Sequence, residues 1–325
     1  MQRSKRVDLF SAMASSALLA IGGVVRLPPA ESQSERGSRG GPSVRWPAHA
    51  VDTRPFPRPA AVRRTGAVLV AVAHPDDETL MMGGTLARLA HEGRRVVVVC
   101  ATRGEAGAIA DEHLATRATL GEAREQELIR ACQSLGIARP IVLSFPDGGL
   151  QDVDPRDLAE RFGEAIRGVG PCVVVTWGAD GGYGHPDHIA VHAAATTAFF
   201  RTTTEVGGPG ALYYVLVRQP RLVRLVRRVK RLALARGRSV RPNAASLRPT
   251  TYVDVACFSK ARLAAMREYR SQLPADLWLR GVSGLLSPRN NFAFSRVERF
   301  SRAYPALRPD EPAEQALWTG SAPPR

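Results

Sequence analysis

The chain has 325 residues, 44% of them hydrophobic, with a formal net charge of +15 and a sequence pI of about 10.8. That length holds one large domain with appendages or two small ones, and the apolar share is enough for a sizeable core. Such basicity suits nucleic acid, a membrane surface or an anionic ligand. Its arginines follow no zinc-finger, helix-turn-helix or aromatic RNA-binding pattern, so no nucleic-acid partner is expected.

Residues 1–30 join a basic start (Arg3, Lys5, Arg6) to an apolar stretch from Phe10 to Val25. They read as a signal peptide or membrane anchor, with a frayed tail on a cytoplasmic protein as the alternative. The run from Ser4 to Phe10 resembles a twin-arginine export signal with Lys5 in place of the first arginine. Residues 31–65, rich in Ser, Gly, Pro and Arg and without apolar period, are expected to be a disordered linker. Residues 66–325 are expected to form the folded domain.

Within that domain four segments repeat one pattern of β-branched run, polar loop and helix. The expected strands are Ala67 to Ala73, Arg95 to Ala101, Pro140 to Ser144 and Cys172 to Trp177. Helices are expected at Thr79 to Glu92, Leu114 to Leu135, Pro155 to Arg167 and Ile189 to Phe200. Continuous apolar strands covered on both faces, joined by right-handed crossovers, give an α/β fold: a Rossmann-like, doubly wound, mostly parallel sheet with helices on both faces. No G-x-G-x-x-G follows the first strand, so no dinucleotide is expected. Further on, Leu212 to Val217 and Thr251 to Val255 are expected strands and Lys260 to Ser271 a helix. Between them, residues 218–241 hold many basic residues and no acidic one, with Leu222, Leu225, Val226, Val229 and Leu232 on one helical face. This insertion is expected to pack on the domain with a solvated basic face, or to touch a membrane surface or anionic partner. Cys100, Cys132, Cys172 and Cys257 form no C-x-x-C pair, and most are expected to be buried as small hydrophobes.

In a doubly wound sheet, ligands bind beyond the carboxyl ends of the strands. His74-Pro75-Asp76-Asp77-Glu78 follows the first expected strand, and Tyr183-Gly184-His185-Pro186-Asp187-His188 follows the fourth, so two His/Asp clusters are expected at one rim. A hydrolytic zinc site needs three N or O ligands and an open position. His74 and Asp77, three apart in a tight turn, supply two, and His188 at the start of the next helix supplies the third. Asp76, beside this set and not needed as a ligand, is then the expected general base. Taken singly, each segment is also an ordinary loop or a capped helix start. His49, His91, His113 and His192 are expected on surfaces or helix faces, with His192 as a reserve ligand.

The stretch AVAHPDDETLMMGGTLARLAHEGRRVVVVCATRGEAG, together with GGYGHPDHIAVHAA, resembles the two metal-binding segments of the LmbE-like, or PIG-L, family of zinc-dependent de-N-acetylases, over residues 66 to 275. The resemblance implies a Rossmann-like fold, one catalytic Zn2+ per chain, with another divalent metal such as iron or cobalt as the alternative, and hydrolysis of an N-acylated amino sugar, often N-acetylglucosamine attached to an inositol. It implies His74, Asp77 and His188 as metal ligands and Asp76 as general base. It further implies His185 as the histidine assisting the transition state, Asp187 as the residue orienting and charging His185, and Tyr183 as an oxyanion donor. Arg124 and Asp147 align with substrate-contacting positions. Tyr269 stands where the family commonly has a histidine, which places a difference at the substrate edge of the pocket. The rival expectations are an amidase acting on a thiol conjugate or on an antibiotic or envelope intermediate, and a non-catalytic glycan-binding relative.

Overall fold

The computed structural model describes residues 66–205, 207–216, 247–272, 296–308 and 310–317. The expected N-terminal segment 1–30, the linker 31–65 and the basic insertion 218–241 lie outside these residues. Seven strands, β1 (Val68–Val72), β2 (Val96–Thr102), β3 (Ile141–Phe145), β4 (Val173–Trp177), β5 (Ala211–Leu216), β6 (Thr251–Asp254) and β7 (Val297–Tyr304), form one sheet in the order β3-β2-β1-β4-β5-β7-β6. The first five are parallel, while β7 runs antiparallel to both β5 and β6. Six helices accompany them among the described residues: α1 (Asp77–His91), α2 (Leu120–Leu135), α3 (Pro155–Val169), the short α4 (Gly181–Gly184), α5 (Pro186–Thr202) and α6 (Ser259–Met266). None of these helices is long and apolar enough to cross a membrane.

The valine-rich runs become central strands because both their faces are covered. Every residue of β1, β2 and β4 is buried, with α1, α2 and α6 packed together on one face and α3 with α5 on the other. Helix ends follow local chemistry. Asp154 caps α3 by accepting the Arg156 N–H at 2.8 Å, with Pro155 in the first turn, and Gly170 closes the helix with φ 60°. The expected helix from Leu114 begins only at Leu120. Thr116 and Thr119 bond to each other through backbone and hydroxyl groups, and these local bonds compete with an earlier start. The helix expected to reach Ser271 stops at Met266, where the chain turns to bury Tyr269 and Ser271. Strand β7 has no counterpart in the sequence reading, because its buried positions include Glu298 and Arg302 rather than an apolar alternation. Cys100, Cys132 and Cys172 are buried, and Cys257 is exposed.

Helix α1 contains a break that the Met81-Met82-Gly83-Gly84 run accommodates. Met82 leaves helical geometry, with φ −146° and ψ 17°. A buried ion pair takes over the backbone groups around it. Arg262 Nε donates to the Thr79 carbonyl at 3.0 Å, and its Nη2 donates to the Leu80 carbonyl. On the other side Glu298 accepts the Gly84 and Thr85 N–H groups at 3.1 and 2.7 Å, and the two side chains pair at 3.0 Å. Only glycine lets them approach: a Cβ on Gly83 would lie 3.0 Å from Arg262 Cγ, and one on Gly84 2.6 Å from Val255 Cβ. Because Glu298→Gln removes one partner of a buried pair and weakens the acceptor at two N–H groups, it should destabilise the fold by about 3 kcal/mol. Urea titration of both proteins checks this, and a loss below about 1 kcal/mol would show that the pair does not splint the break.

Candidate metal centre

The strand order reverses between β1 and β4, which are directly paired, so the loops leaving their carboxyl ends share one crevice. In the first loop, Asp77 Oδ2 accepts the N–H groups of Ala73 and His74 at 3.2 and 2.9 Å and closes a tight turn. Closing it puts Asp76 in the left-handed region at φ 107°, a rare conformation for a residue with a Cβ. Glu78, fully buried, accepts the Asp76 N–H at 3.2 Å and is itself fixed by the Thr79 and Tyr269 hydroxyls, each at 2.5 Å. In the second loop, α4 ends at His185, Pro186 opens α5, and His188 falls in its first turn. Tyr183 lies within α4.

The expected ligands come together. His188 Nε2 lies 3.3 Å from His74 Nδ1 and 3.3 Å from Asp77 Oδ1, and His74 Nδ1 lies 3.5 Å from Asp77 Oδ2. Ligand bonds of about 2.0–2.1 Å at tetrahedral angles separate neighbouring ligand atoms by about 3.3–3.4 Å; the His188–His74 and His188–Asp77 Oδ1 separations match this, while Asp77 meets His74 through its other oxygen. The outer contacts fit as well. His188 Nδ1 lies 3.1 Å from the Gly181 carbonyl, to which its N–H donates, and His74 Nε2 lies 3.1 Å from both Asp147 Oδ1 and Asp187 Oδ2. Each imidazole thus has an oxygen partner on the nitrogen turned away from the cluster, the usual support of a metal-bound histidine.

Among the described residues, donor atoms also gather in His74 with His185 and His188, and in His74 with Asp147 and Asp187. The second is a hydrogen-bonding shell. Asp147 Oδ2 accepts the Ala106 N–H at 2.9 Å, and the two Asp187 oxygens accept the Gly148 and Leu150 N–H groups at 2.8 and 3.2 Å. Asp147 faces His74, and Asp187 meets both histidines: its carboxylate supports His74, its charge raises His185, and its backbone N–H donates to His185 Nδ1 at 3.2 Å. Arg124, expected at the substrate, is 4% exposed and clamps the first loop. Its Nη2 donates to the Pro75 carbonyl at 2.5 Å and to Asp76 Oδ2 at 3.1 Å, and its Nη1 to the Gly104 carbonyl at 2.8 Å. A Cβ on Gly104 would stand 2.2 Å from that guanidinium, which accounts for glycine there. Tyr269 is likewise 2% exposed and lies beneath the first loop, not at the pocket edge. His192 stays outside the cluster, with Nδ1 2.8 Å from the Trp177 carbonyl. The sequence reading gave no role to Glu78 or Trp177; their signal, a polar and an aromatic residue beside a cluster, is shared by ordinary core positions.

Charge sets the protonation. Burial pushes the Asp76 carboxyl up to about 7, helped by the charges of Asp77 and Glu78 and opposed by Arg124 and His74. Burial also opposes ionisation of Asp77, but His188 and His74 hold its carboxyl well below the usual range. For His74 burial disfavours the cation, yet hydrogen bonds to Asp147, Asp187 and Asp77 raise it well above an ordinary imidazole. His185 is lowered to about 4 by burial and by the neighbouring His74 and His188. The charges of Asp187 and Asp77 act in the opposite direction.

The PIG-L family profile, described as GlcNAc-PI de-N-acetylase, matches residues 69–199. A 1D-myo-inositol 2-acetamido-2-deoxy-α-D-glucopyranoside deacetylase of Kineococcus radiotolerans is 36% identical over 251 residues, covering 65% of this chain and 70% of the relative. A deacetylase of the same name from Nocardiopsis dassonvillei is 33% identical over 237 residues, covering 63% and 83%. In three dimensions the fold is similar to that of the N,N′-diacetylchitobiose deacetylase of Pyrococcus horikoshii, with a TM-score of 0.53, 21% identity and coverage of 73% of this chain and 83% of that one. With both loops of the crevice inside the matched span and two relatives aligned over most of their length, the chain belongs to the PIG-L family.

Proposed function

We propose that this protein is a zinc-dependent de-N-acetylase that hydrolyses the acetamide of an amino-sugar conjugate to acetate and a free amine. The observation that carries the reading is the division between two adjacent carboxylates. Asp77 faces His74 and His188 in the donor cluster, whereas Asp76 is held outside it by Arg124. His74, Asp77 and His188 would hold the ion. Bound there, zinc supplies Lewis acidity toward the amide carbonyl and makes water acidic near neutral pH.

The remaining work belongs to side chains. The Asp76 carboxylate takes a proton from the attacking water, and Arg124 on Oδ2 keeps that carboxylate oriented. Since His185 Nδ1 accepts the Asp187 N–H, the ring proton sits on Nε2, where a neutral imidazole donates to the developing oxyanion. Tyr183 is assigned as a second donor on the family likeness. Asp76, now a carboxylic acid, passes its proton to the departing nitrogen as the carbon–nitrogen bond breaks. The names of the relatives support an N-acetylglucosaminyl-inositol substrate and do not favour a thiol conjugate. A purely glycan-binding role would leave a half-buried, clamped carboxylate beside the ligand set without a use.

Amine release from N-acetylglucosaminyl-inositol, N-acetylglucosamine and an N-acylated thiol conjugate tests the substrate. Turnover should be greatest on the inositol conjugate, and turnover of the thiol conjugate alone would overturn the assignment. A second measurement separates the two carboxylates. Asp76→Asn should retain one metal per chain while kcat falls by about 10²-fold or more. Asp77→Ala and His188→Ala should lose metal first, with partial recovery in excess zinc. Near-normal kcat in metal-loaded Asp76→Asn would remove it as the base.

A further inference from the structure

Trp177, the last residue of β4, is 1% exposed, and its indole stacks on the His188 ring with centroids 3.8 Å apart and planes 11° apart. His185 also stacks on His188, at 4.7 Å and 26°. One face of an imidazole has room for a single parallel ring, so His188 lies between the indole and His185. Its Nδ1 is meanwhile fixed by the Gly181 carbonyl at 3.1 Å. That hydrogen bond restrains rotation within the ring plane, and the indole restrains the tilt of the plane. Together they leave Nε2 one position, 3.3 Å from both His74 Nδ1 and Asp77 Oδ1.

The indole is not kept there by a hydrogen bond. Among the described residues, the buried donor Trp177 Nε1 has no hydrogen-bond partner. The electron-rich face of an indole attracts positive charge. An imidazole that shares its lone pair with a cation becomes more positive, so the stack is strongest in the loaded state. The backbone adds rigidity: the Trp177 carbonyl lies 2.8 Å from His192 Nδ1, which ties the end of β4 to α5, the helix carrying His188.

We propose that Trp177 is a positioning residue for the metal centre, holding His188 in its ligating orientation through ring stacking. The proposal rests on the metal-dependent reading above. It separates stacking from mere core filling: Trp177→Phe keeps a flat ring and removes the orphan donor, whereas Trp177→Leu keeps apolar bulk and loses the ring.

The test loads metal-free wild type, Trp177→Phe and Trp177→Leu with Co2+. It records the visible absorption of the ion and its Kd by competition with a chelator, alongside urea stability. Wild type should bind one Co2+ with a four-coordinate spectrum. Trp177→Phe should stay within about threefold of that Kd with the same spectrum. Trp177→Leu should bind about 10- to 100-fold more weakly with an altered spectrum, the usual cost of losing support behind a ligand. Equal Kd and spectrum in Trp177→Leu and wild type would overturn the stacking role even if stability fell. A parallel loss in both variants that follows their stability would also overturn it, in favour of core filling. If wild type itself bound no Co2+ and had no deacetylase activity, the metal-dependent reading would fail, and the inference with it.

Discussion

The left-handed backbone at Asp76 is the constraint from which the centre is built. Two successive carboxylates on a regular helix turn would point about 100° apart and compete for the same solvent. At φ 107° the chain instead turns Asp77 back over the N–H groups of Ala73 and His74 and sends Asp76 toward Arg124. A non-glycine residue in such a conformation costs of order 1–3 kcal/mol, and here the surrounding bonds hold it. Glu78 takes its N–H, Arg124 takes the carbonyl before it and one carboxylate oxygen, and Tyr269 secures Glu78 from below.

The same arrangement concentrates negative charge in a strongly basic protein. Asp76, Asp77, Glu78, Asp147 and Asp187 gather around His74, with Arg124 as the guanidinium set against Asp76. A chain with net charge +15 thus holds an acidic pocket, suited to a cation and to the amine that deacetylation leaves. The overall charge therefore says little about the ligand. Local burial and pairing decide it.

Much of the parallel half of the fold was legible in the sequence, because buried strands and capped helices leave strong local patterns. Val96 to Val99 or Asp154-Pro155 needs no tertiary context to be read. The two clusters could be joined because β1 and β4 end at the same rim. What stayed hidden depends on partners distant in sequence. Strand β7 presents Glu298 and Arg302 inward, which looks like a solvated segment until Arg262 and Glu314 are seen to meet them. The alignment of Arg124 and Asp147 with substrate-contacting positions does not foretell that the first clamps Asp76 and the second meets His74. Likeness gives a position along the chain; side-chain direction follows from packing.

The splint across the break in α1 sets an order of events during synthesis. Glu298 and Gly84 are 214 residues apart in sequence, and Arg262 and Thr79 are 183 apart. A ribosome delivers the His74–Asp77 loop with β1 and β2, but the groups that complete the helix behind it follow about 200 residues later. Contacts of such long range form late, after loop closure has been met by other packing. The parallel sheet can assemble as the chain emerges, whereas the helix bearing Asp77 reaches its final geometry once β7 has docked.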